Sequence, residues 1–255
     1  MFKQNNSIVL ISPNESLIGF LNSYLIKEII EKNSNSKCFL INDPSFRKNL
    51  EDKLKFFDID FNYISIKKFN DFKNENMFKI KKFKKTLNLG KILRIKNKNL
   101  YLEEPYIDFK DRKYLTKELT KKLNFIELSF VKNYDILENI NNSTSIGLYI
   151  NSIDLENNLI NKDFILNATK RLNKYLKQPK LYIFSKNINA EEIKSEIDFE
   201  ILKLDNEYEE FYFYQKCKNK IILNAKNSSN FSIFNSLISS NRNIYFENNN
   251  KLICL

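Results

Sequence analysis

The sequence predicts an α/β protein whose sheets are mostly parallel, because two patterns alternate along its 255 residues. Short runs rich in Ile, Val, Leu and Phe are typical of buried strands, and the segments between them repeat apolar residues at helical spacing. A strand–helix–strand succession of this kind builds a parallel sheet with right-handed crossovers. The chain is long enough for two such domains, which we predict at 1–140 and 141–255, with a boundary in the polar stretch 139–143.

The first strand and helix are predicted near the N-terminus. Residues 7–11 form a β-branched run that indicates a buried strand. Apolar residues then recur at helical spacing from Leu17 to Ile29, and Ser16 is suited to cap that helix. The run 38–41 predicts the next strand, which completes a β-α-β unit.

The second half has a more regular alternation. Strands are predicted at 145–150, 180–184, 199–203, 220–223 and 243–246, and helices at 163–176, 190–197, 208–217 and 231–239. Such an alternation predicts a doubly wound domain, in which ligands bind beyond the carboxyl ends of the strands. The candidate ligand loops are therefore 151–154, 185–187, 204–207 and 224–230.

The composition excludes several kinds of chemistry. The chain has no histidine, so a Ser-His-Asp triad, a Cys-His pair, a histidine base and a histidine metal site are excluded. Its three cysteines, Cys38, Cys217 and Cys254, form no C-x-x-C pair, so no metal site and no disulfide framework is expected. Carboxylates, lysines, hydroxyls, aromatic rings and the backbone remain to carry any function.

The positive charge is concentrated in one segment, 67–98, which we call the basic stretch. It holds twelve Lys and Arg residues against Asp71 and Glu75, while the whole chain has a net charge of +11. Such a block attracts anionic partners, of which an anionic membrane surface is one, and a solvated basic loop is the other interpretation. The spacing of its phenylalanines suits packing rather than base stacking, which argues against nucleic acid as the partner.

The sequence shows no segment long enough to span a membrane. The residues before the first strand are polar, and the apolar run 8–11 is too short for the core of a signal peptide. We therefore expect a cytoplasmic protein that can lie at the inner surface of a membrane.

Four parts of the chain carry a resemblance to a known family. The segment Ile146-Gly-Leu-Tyr-Ile-Asn-Ser-Ile-Asp154 lies where that family has V-S-x-H-I-R-R-G-D, and Leu181-Tyr-Ile-Phe-Ser185 lies at its F-S-D-D strand. The other similar segments, in the same order as in the family, are 16–25 with 37–41, 99–114, and 214–222 with 231–237. In this frame the chain resembles family 11 glycosyltransferases, the bacterial α-1,2-fucosyltransferases.

The resemblance implies a fold and an activity. The fold would be GT-B-like, with two Rossmann-like domains, the first on the acceptor side and the second on the nucleotide-sugar side. The activity would be metal-independent, inverting transfer of fucose from GDP-fucose to a galactose-type hydroxyl of a surface glycan. No cofactor is expected beyond that donor substrate.

The polar signature of the family is mostly replaced. Tyr149, Asn151, Ser152 and Ile153 stand at the family's H, R, R and G positions, and only Asp154 is kept. Asn can bond a phosphate oxygen but cannot neutralise it as Arg does. Two alternatives therefore stay open: a non-catalytic relative that binds a glycan or a protein partner, and a basic protein associated with nucleic acid.

The candidate site residues follow from these segments. Asp154 ends a predicted strand and is the candidate general base, with an Asx-turn or a helix cap as its alternative role. Lys186 would offer a cation to a phosphate, and hydroxyls at the start of the last helix would hold a diphosphate without a metal, unless they cap that helix. The candidate substrate-binding residues are Asn151, Ser152, Ser185, Lys186, Ser228, Ser229 and Ser232.

Overall fold

The computed structural model describes residues 7–13, 16–42, 54–75, 80–86, 88–95, 98–107, 109–150, 162–223, 230–239, 243–248 and 251–254. The chain forms two compact units, Met1–Leu128 and Ser129–Leu255. Each unit contains one sheet with five mutually parallel strands, so the predicted α/β class with mostly parallel sheets is confirmed.

The first unit alternates strands and helices. Its strands are β1 (Ile8–Ser12), β2 (Lys37–Asn42), β3 (Tyr63–Ser65), β4 (Ile80–Thr86) and β5 (Asn99–Tyr106). Its helices are α1 (Leu17–Asn33), α2 (Ile66–Glu75), α3 (Leu89–Ile92) and α4 (Lys117–Lys121), with a 3-10 helix at Phe109–Tyr114. The strand order is β3-β2-β1-β5-β4, which leaves β4 at one edge.

Helix α1 begins where the sequence predicts. The Ser16 hydroxyl accepts a hydrogen bond from the Gly19 amide at 3.1 Å, so Ser16 is the N-cap. The buried Asn22 of this helix accepts a hydrogen bond from the Ile107 amide at 3.0 Å, just beyond the end of β5. This bond fixes α1 to the end of β5, and the helix packs against β5 together with β2.

Helix α2 packs on the sheet face that carries Leu10. Leu10 is opposite Phe39 of β2 and Tyr101 of β5, so these side chains share one face. Phe69 of α2 lies on that face, with its ring centroid 5.3 Å from that of Tyr101. The beginning of the basic stretch, which the sequence did not resolve into elements, is therefore an amphipathic helix.

The second unit is more regular. Its strands are β6 (Thr144–Tyr149), β7 (Pro179–Phe184), β8 (Phe199–Leu202), β9 (Asn219–Ile222), β10 (Asn243–Asn248) and β11 (Lys251–Cys254). Its helices are α5 (Tyr134–Asn142), α6 (Lys162–Tyr175), α7 (Glu207–Lys216) and α8 (Asn230–Ile238). The strand order is β11-β10-β9-β6-β7-β8, and β11 is antiparallel to β10.

Two layers cover the second sheet. Ile146, Leu148, Leu181 and Ile183 pack with α6, where Ile165 is buried among them. The alternate residues of the same strands face α7 and α8. Asn235 of α8 donates a hydrogen bond to the Phe211 carbonyl of α7 at 2.9 Å, and this bond ties the two helices together.

The predicted boundary at 139–143 differs from the division between the units, because α5 belongs to the second unit. The buried Glu209 carboxylate of α7 accepts hydrogen bonds from the Lys132 amide and, at 2.9 and 2.8 Å, from the amide and side chain of Asn133. Asn206 also donates to the Phe130 carbonyl at 3.1 Å. These bonds hold the start of α5 against the start of α7.

The predicted helix at 190–197 is wrong. A 3-10 helix covers Ala190–Glu192, and the chain is irregular from there to β8. Ile193 and Ile197 are buried, which explains the helical spacing. The backbone amides of Glu196 and Ile197 bond instead to the hydroxyls of Thr169 and Ser195, at 3.2 and 3.0 Å, so side chains replace the helical hydrogen bonds.

Within the described ranges, no helix combines the length and apolar character that crossing a bilayer requires.

Candidate functional site

The second sheet has a topological switch point between β6 and β9. From β6 the chain moves to β7 and β8 on one side, and from β9 to β10 on the other, which is the doubly wound Rossmann order. In such sheets ligands bind at the carboxyl ends of the two strands that flank the switch point. Tyr149 ends β6 and Ile222 ends β9, so the candidate site lies where the chain leaves these residues.

Aromatic side chains pack beneath this edge. Tyr149 stacks on Phe231 of α8, with ring centroids 4.1 Å apart and an angle of 20° between the planes. Tyr214 of α7 meets Phe231 at 5.5 Å and Phe184 of β7 at 5.4 Å, both edge to face. The rings of Tyr214, Phe184 and Phe211 are fully buried, so this cluster forms a rigid floor rather than an open platform for stacking.

Three predicted binding residues lie among the described residues. Ser185 follows β7 directly and is 2% exposed, and its hydroxyl has no hydrogen-bond partner among the residues that the structure describes. Lys186, the next residue, is exposed to solvent. Ser232 is buried in the first turn of α8. The predicted residues Asn151, Ser152, Asp154, Ser228 and Ser229 lie outside the described residues.

Glu210 is a buried carboxyl in the same region. Helix α7 begins soon after β8, so its first turn lies at the carboxyl edge of the sheet, and Glu210 there is 9% exposed. Burial raises the pKa of this carboxyl to about 7, against the opposing charge of Lys186, and the charge of Glu207 raises it further. Lys186 and Glu210 therefore form a pair of titratable groups at this edge.

The opposite edge of the sheet holds a buried lysine. Lys220 of β9 is 1% exposed and donates hydrogen bonds to the carbonyls of Cys217 (3.0 Å) and Gln215 (3.4 Å) and to the Ser239 hydroxyl (3.1 Å). Burial lowers the pKa of this ammonium to about 8. Lys220 thus satisfies carbonyls at the C-terminal end of α7 and joins them to the end of α8, which is a structural role.

Cys217 is part of the same packing. Its thiol is fully buried, and burial raises its pKa to about 12, which makes it unreactive at neutral pH. Gly147 of β6 packs directly against it, since a Cβ atom at this glycine would lie 3.1 Å from the Cys217 sulfur. Cys217 is therefore a packing residue.

Sequence reasoning did not single out Glu210 or Lys220. One signal for Glu210 was available, because it lies four residues before Tyr214 and seven before Cys217, on the buried side of the helix. A carboxylate on an apolar stripe indicates a special environment. The sequence does not distinguish Lys220 from the many other lysines of this chain. Its burial depends on the positions of the C-terminal ends of α7 and α8, which supply its hydrogen-bond acceptors.

Comparisons with protein families and with curated proteins gave no match. The described residues contain no cluster of three or more Cys, Asp or Glu side chains that could hold a metal ion.

Proposed function

We propose that this protein is a nucleotide-sugar-dependent glycosyltransferase, similar to the bacterial α-1,2-fucosyltransferases, that transfers fucose from GDP-fucose to a galactose-type hydroxyl of a surface glycan. The observation that carries the proposal is the strand order of the second unit, whose switch point separates β6 from β9. Phosphate-bearing ligands bind at such points, near the ends of helices that follow the strands. The predicted catalytic residue Asp154 and the predicted binding residues Asn151, Ser152, Ser228 and Ser229 follow these two strands in the sequence.

Two described residues at the carboxyl edge, Lys186 and Ser185, support this proposal. An exposed Lys186 offers a cation to a diphosphate, and the unpartnered Ser185 hydroxyl beside it offers a hydrogen bond within the described region. The proposed enzyme would be GT-B-like, with the donor bound by the second unit and the acceptor by the first. Asp154 would take the proton of the acceptor hydroxyl as fucose leaves GDP.

Calorimetric titration of the full chain with GDP and GDP-fucose tests the proposal. We expect both ligands to bind, and GDP to be released when a galactose-terminated acceptor is added. Lys186→Ala should weaken GDP binding about tenfold through the loss of one charged contact. Lys170→Ala, which removes an exposed cation from α6, is the matched control and should bind GDP normally. Absence of GDP binding at millimolar concentration would refute the proposal.

A second candidate function is a non-catalytic relative that binds a glycan or a protein partner. Tyr149 favours it, because this residue stands at the histidine position of the family motif and its ring is engaged in stacking on Phe231. The same titration separates the two candidates. A catalyst releases GDP from GDP-fucose in the presence of acceptor, whereas the non-catalytic relative binds glycan without any release of GDP.

A further inference from the structure

Helix α2 and strand β4, which lie almost entirely within the basic stretch, carry lysines on the same side of the first unit. Phe69 of α2 lies 5.3 Å from the Tyr101 ring, and the Lys82 ammonium of β4 lies 5.4 Å from the centroid of that same ring. Helix α2 and strand β4 are thus joined through β5 on one face of the sheet. Lysines that are distant in sequence, such as Lys68, Lys73 and Lys82, therefore belong to the same side of the unit.

The cations of this surface are available to a partner. Every described Lys or Arg in the stretch is exposed, namely Lys67, Lys68, Lys73, Lys81, Lys82, Lys84, Lys91, Arg94 and Lys98. Lys82 and Lys84 both pair with one carboxylate, that of Glu103, at 3.1 and 3.4 Å. The lysines of α2 form no ion pair with a described residue, although Asp71 is one turn from Lys67. The three lysines of α2, with Lys82 and Lys84 of β4, outnumber the carboxylates of Asp71, Glu75 and Glu103 by two, so the surface keeps a net positive charge.

An apolar side chain borders these cations at the start of α2. Ile66, the first residue of the helix, is 38% exposed. Lysines beside an exposed Ile are typical of surfaces that contact the headgroup region of a membrane, where cations meet anionic lipids and apolar side chains enter the interface.

The aromatic residues of the surface argue against nucleic acid. Proteins that bind single strands stack bases on exposed rings. Here Phe69 is buried, and Phe72 and Phe83 are half-buried against the sheet, so their faces are not offered to bases. Helix α2 is also fixed to the sheet through Phe69, which is not how a recognition helix is presented to a groove.

We propose that the surface formed by α2 and β4, with Lys67, Lys68, Lys73, Lys82 and Lys84, docks this protein on an anionic lipid bilayer. The positive surface complements the negative potential of the headgroups, and Ile66 enters the interface between them. Docking holds the first unit at the membrane surface and requires no membrane-spanning segment. It is independent of the proposed glycosyltransferase activity.

Co-sedimentation of the full chain with vesicles tests this proposal. Phosphatidylglycerol mixed with phosphatidylcholine should bind the protein, and phosphatidylcholine alone should not. A triple variant, Lys67→Gln, Lys68→Gln and Lys73→Gln, should weaken binding about a hundredfold, at about fivefold for each lysine. The matched control carries Lys162→Gln, Lys170→Gln and Lys174→Gln on α6, removes the same charge from the second unit and should leave binding unchanged.

A gain-of-function variant makes the test independent of folding defects. Glu103→Gln releases Lys82 and Lys84 from their ion pairs and should strengthen vesicle binding about fivefold. The proposal is overturned if the α2 variant and the α6 control bind equally well, or if neutral and anionic vesicles bind alike. Tighter binding to a single-stranded oligonucleotide than to anionic vesicles at the same salt concentration would also overturn it.

Discussion

The two units have related sheets but differ in where they keep their charges. In the first unit the ionic groups that the structure describes lie at or near the surface, as in the pairs that Glu28 forms with Lys27 at 2.8 Å and Lys122 at 3.2 Å, and the buried Asp111 is the exception. In the second unit Glu209, Glu210 and Lys220 are buried beside the sheet. The two units therefore use similar sheets with different electrostatics. The charged surface of the first unit suits contact with a large partner, and the buried charges of the second suit a site with shifted pKa values.

The connections of the two sheets differ as well. In the second unit the chain adds β9 beside β6 and continues outward to β10. In the first unit it goes from β3 to the far edge strand β4 and then returns to insert β5 beside β1. The late insertion of β5 leaves the lysine-rich β4 at the edge, and this order explains why the basic stretch is on the surface.

The largest expected effect contrasts a buried carboxylate with a partly buried one. Glu209→Ala removes three hydrogen bonds that hold α5 and should lower the free energy of unfolding by about 3–4 kcal/mol. Glu28→Ala, in the first unit, should cost about 1 kcal/mol, because Lys122 reaches solvent and Lys27 keeps its ion pair with Glu31. Urea unfolding, monitored by hydrogen exchange of individual peptides, measures the change in unfolding free energy for each variant. Equal decreases for the two variants would contradict the prediction that the buried carboxylate contributes more.

A smaller effect concerns the pH dependence caused by Glu210. The pKa of Glu210 rises from 4.5 to about 7 on folding. Between these two pH values the folded chain therefore binds more protons than the unfolded chain. The free energy of unfolding thus falls as the pH rises through this range. At about 1.4 kcal/mol per pKa unit, the stability of Glu210→Gln relative to the wild type should be higher above pH 8 than near pH 4 by about 3 kcal/mol.

Urea midpoints of the wild type and the Glu210→Gln variant, measured across this pH range, give the difference directly. Glu28→Gln is the matched control in the first unit, since the Lys27 and Lys122 charges lower the pKa of Glu28 in spite of its partial burial. A stability difference for Glu210→Gln that does not vary with pH would contradict the prediction.

The smallest of these effects compares a glycine in each unit. Gly147→Ala brings a Cβ atom to 3.1 Å from the Cys217 Cβ and Sγ and to 3.2 Å from the Tyr214 ring, in a fully buried region, and should cost about 2 kcal/mol. Gly90→Ala in α3 meets the Tyr114 hydroxyl, the end of a side chain that can move, and gains helix propensity. Thermal unfolding should show a loss for the first variant and little change for the second.

The regular elements could be predicted because their burial follows a local pattern. Strands β1, β6 and β7 are mostly apolar runs buried on both faces, and α1 has a capping serine followed by apolar residues at helical spacing. The prediction of a helix at 190–197 was wrong because it relied on the same kind of local burial pattern. Burial of Ile193 and Ile197 satisfies the pattern, but hydroxyls from Thr169 and Ser195 take the backbone bonds.

Features that depend on distant contacts could not be predicted. Strand β4 has four lysines in its seven residues, and such a sequence by itself indicates a solvated loop. It forms a strand because Glu103 and Tyr101 of the neighbouring β5 interact with its lysines. The assignment of α5 to the second unit depends on Glu209, which is distant from it in sequence. In the candidate site Ser185 and Lys186 follow a strand end and could be named in advance, whereas the burial of Glu210 results from tertiary packing.

The position of β4 also bears on self-association. An edge strand exposes unpaired backbone groups that can add a strand from another molecule, and natural proteins discourage this with lysines. The exposed Lys81, Lys82 and Lys84 place like charges along that edge, so two copies that approach edge to edge repel each other. Counter-ions screen this repulsion. The same lysines that would attract an anionic surface thus protect the monomer from aggregation at low ionic strength, and this protection weakens as salt is added.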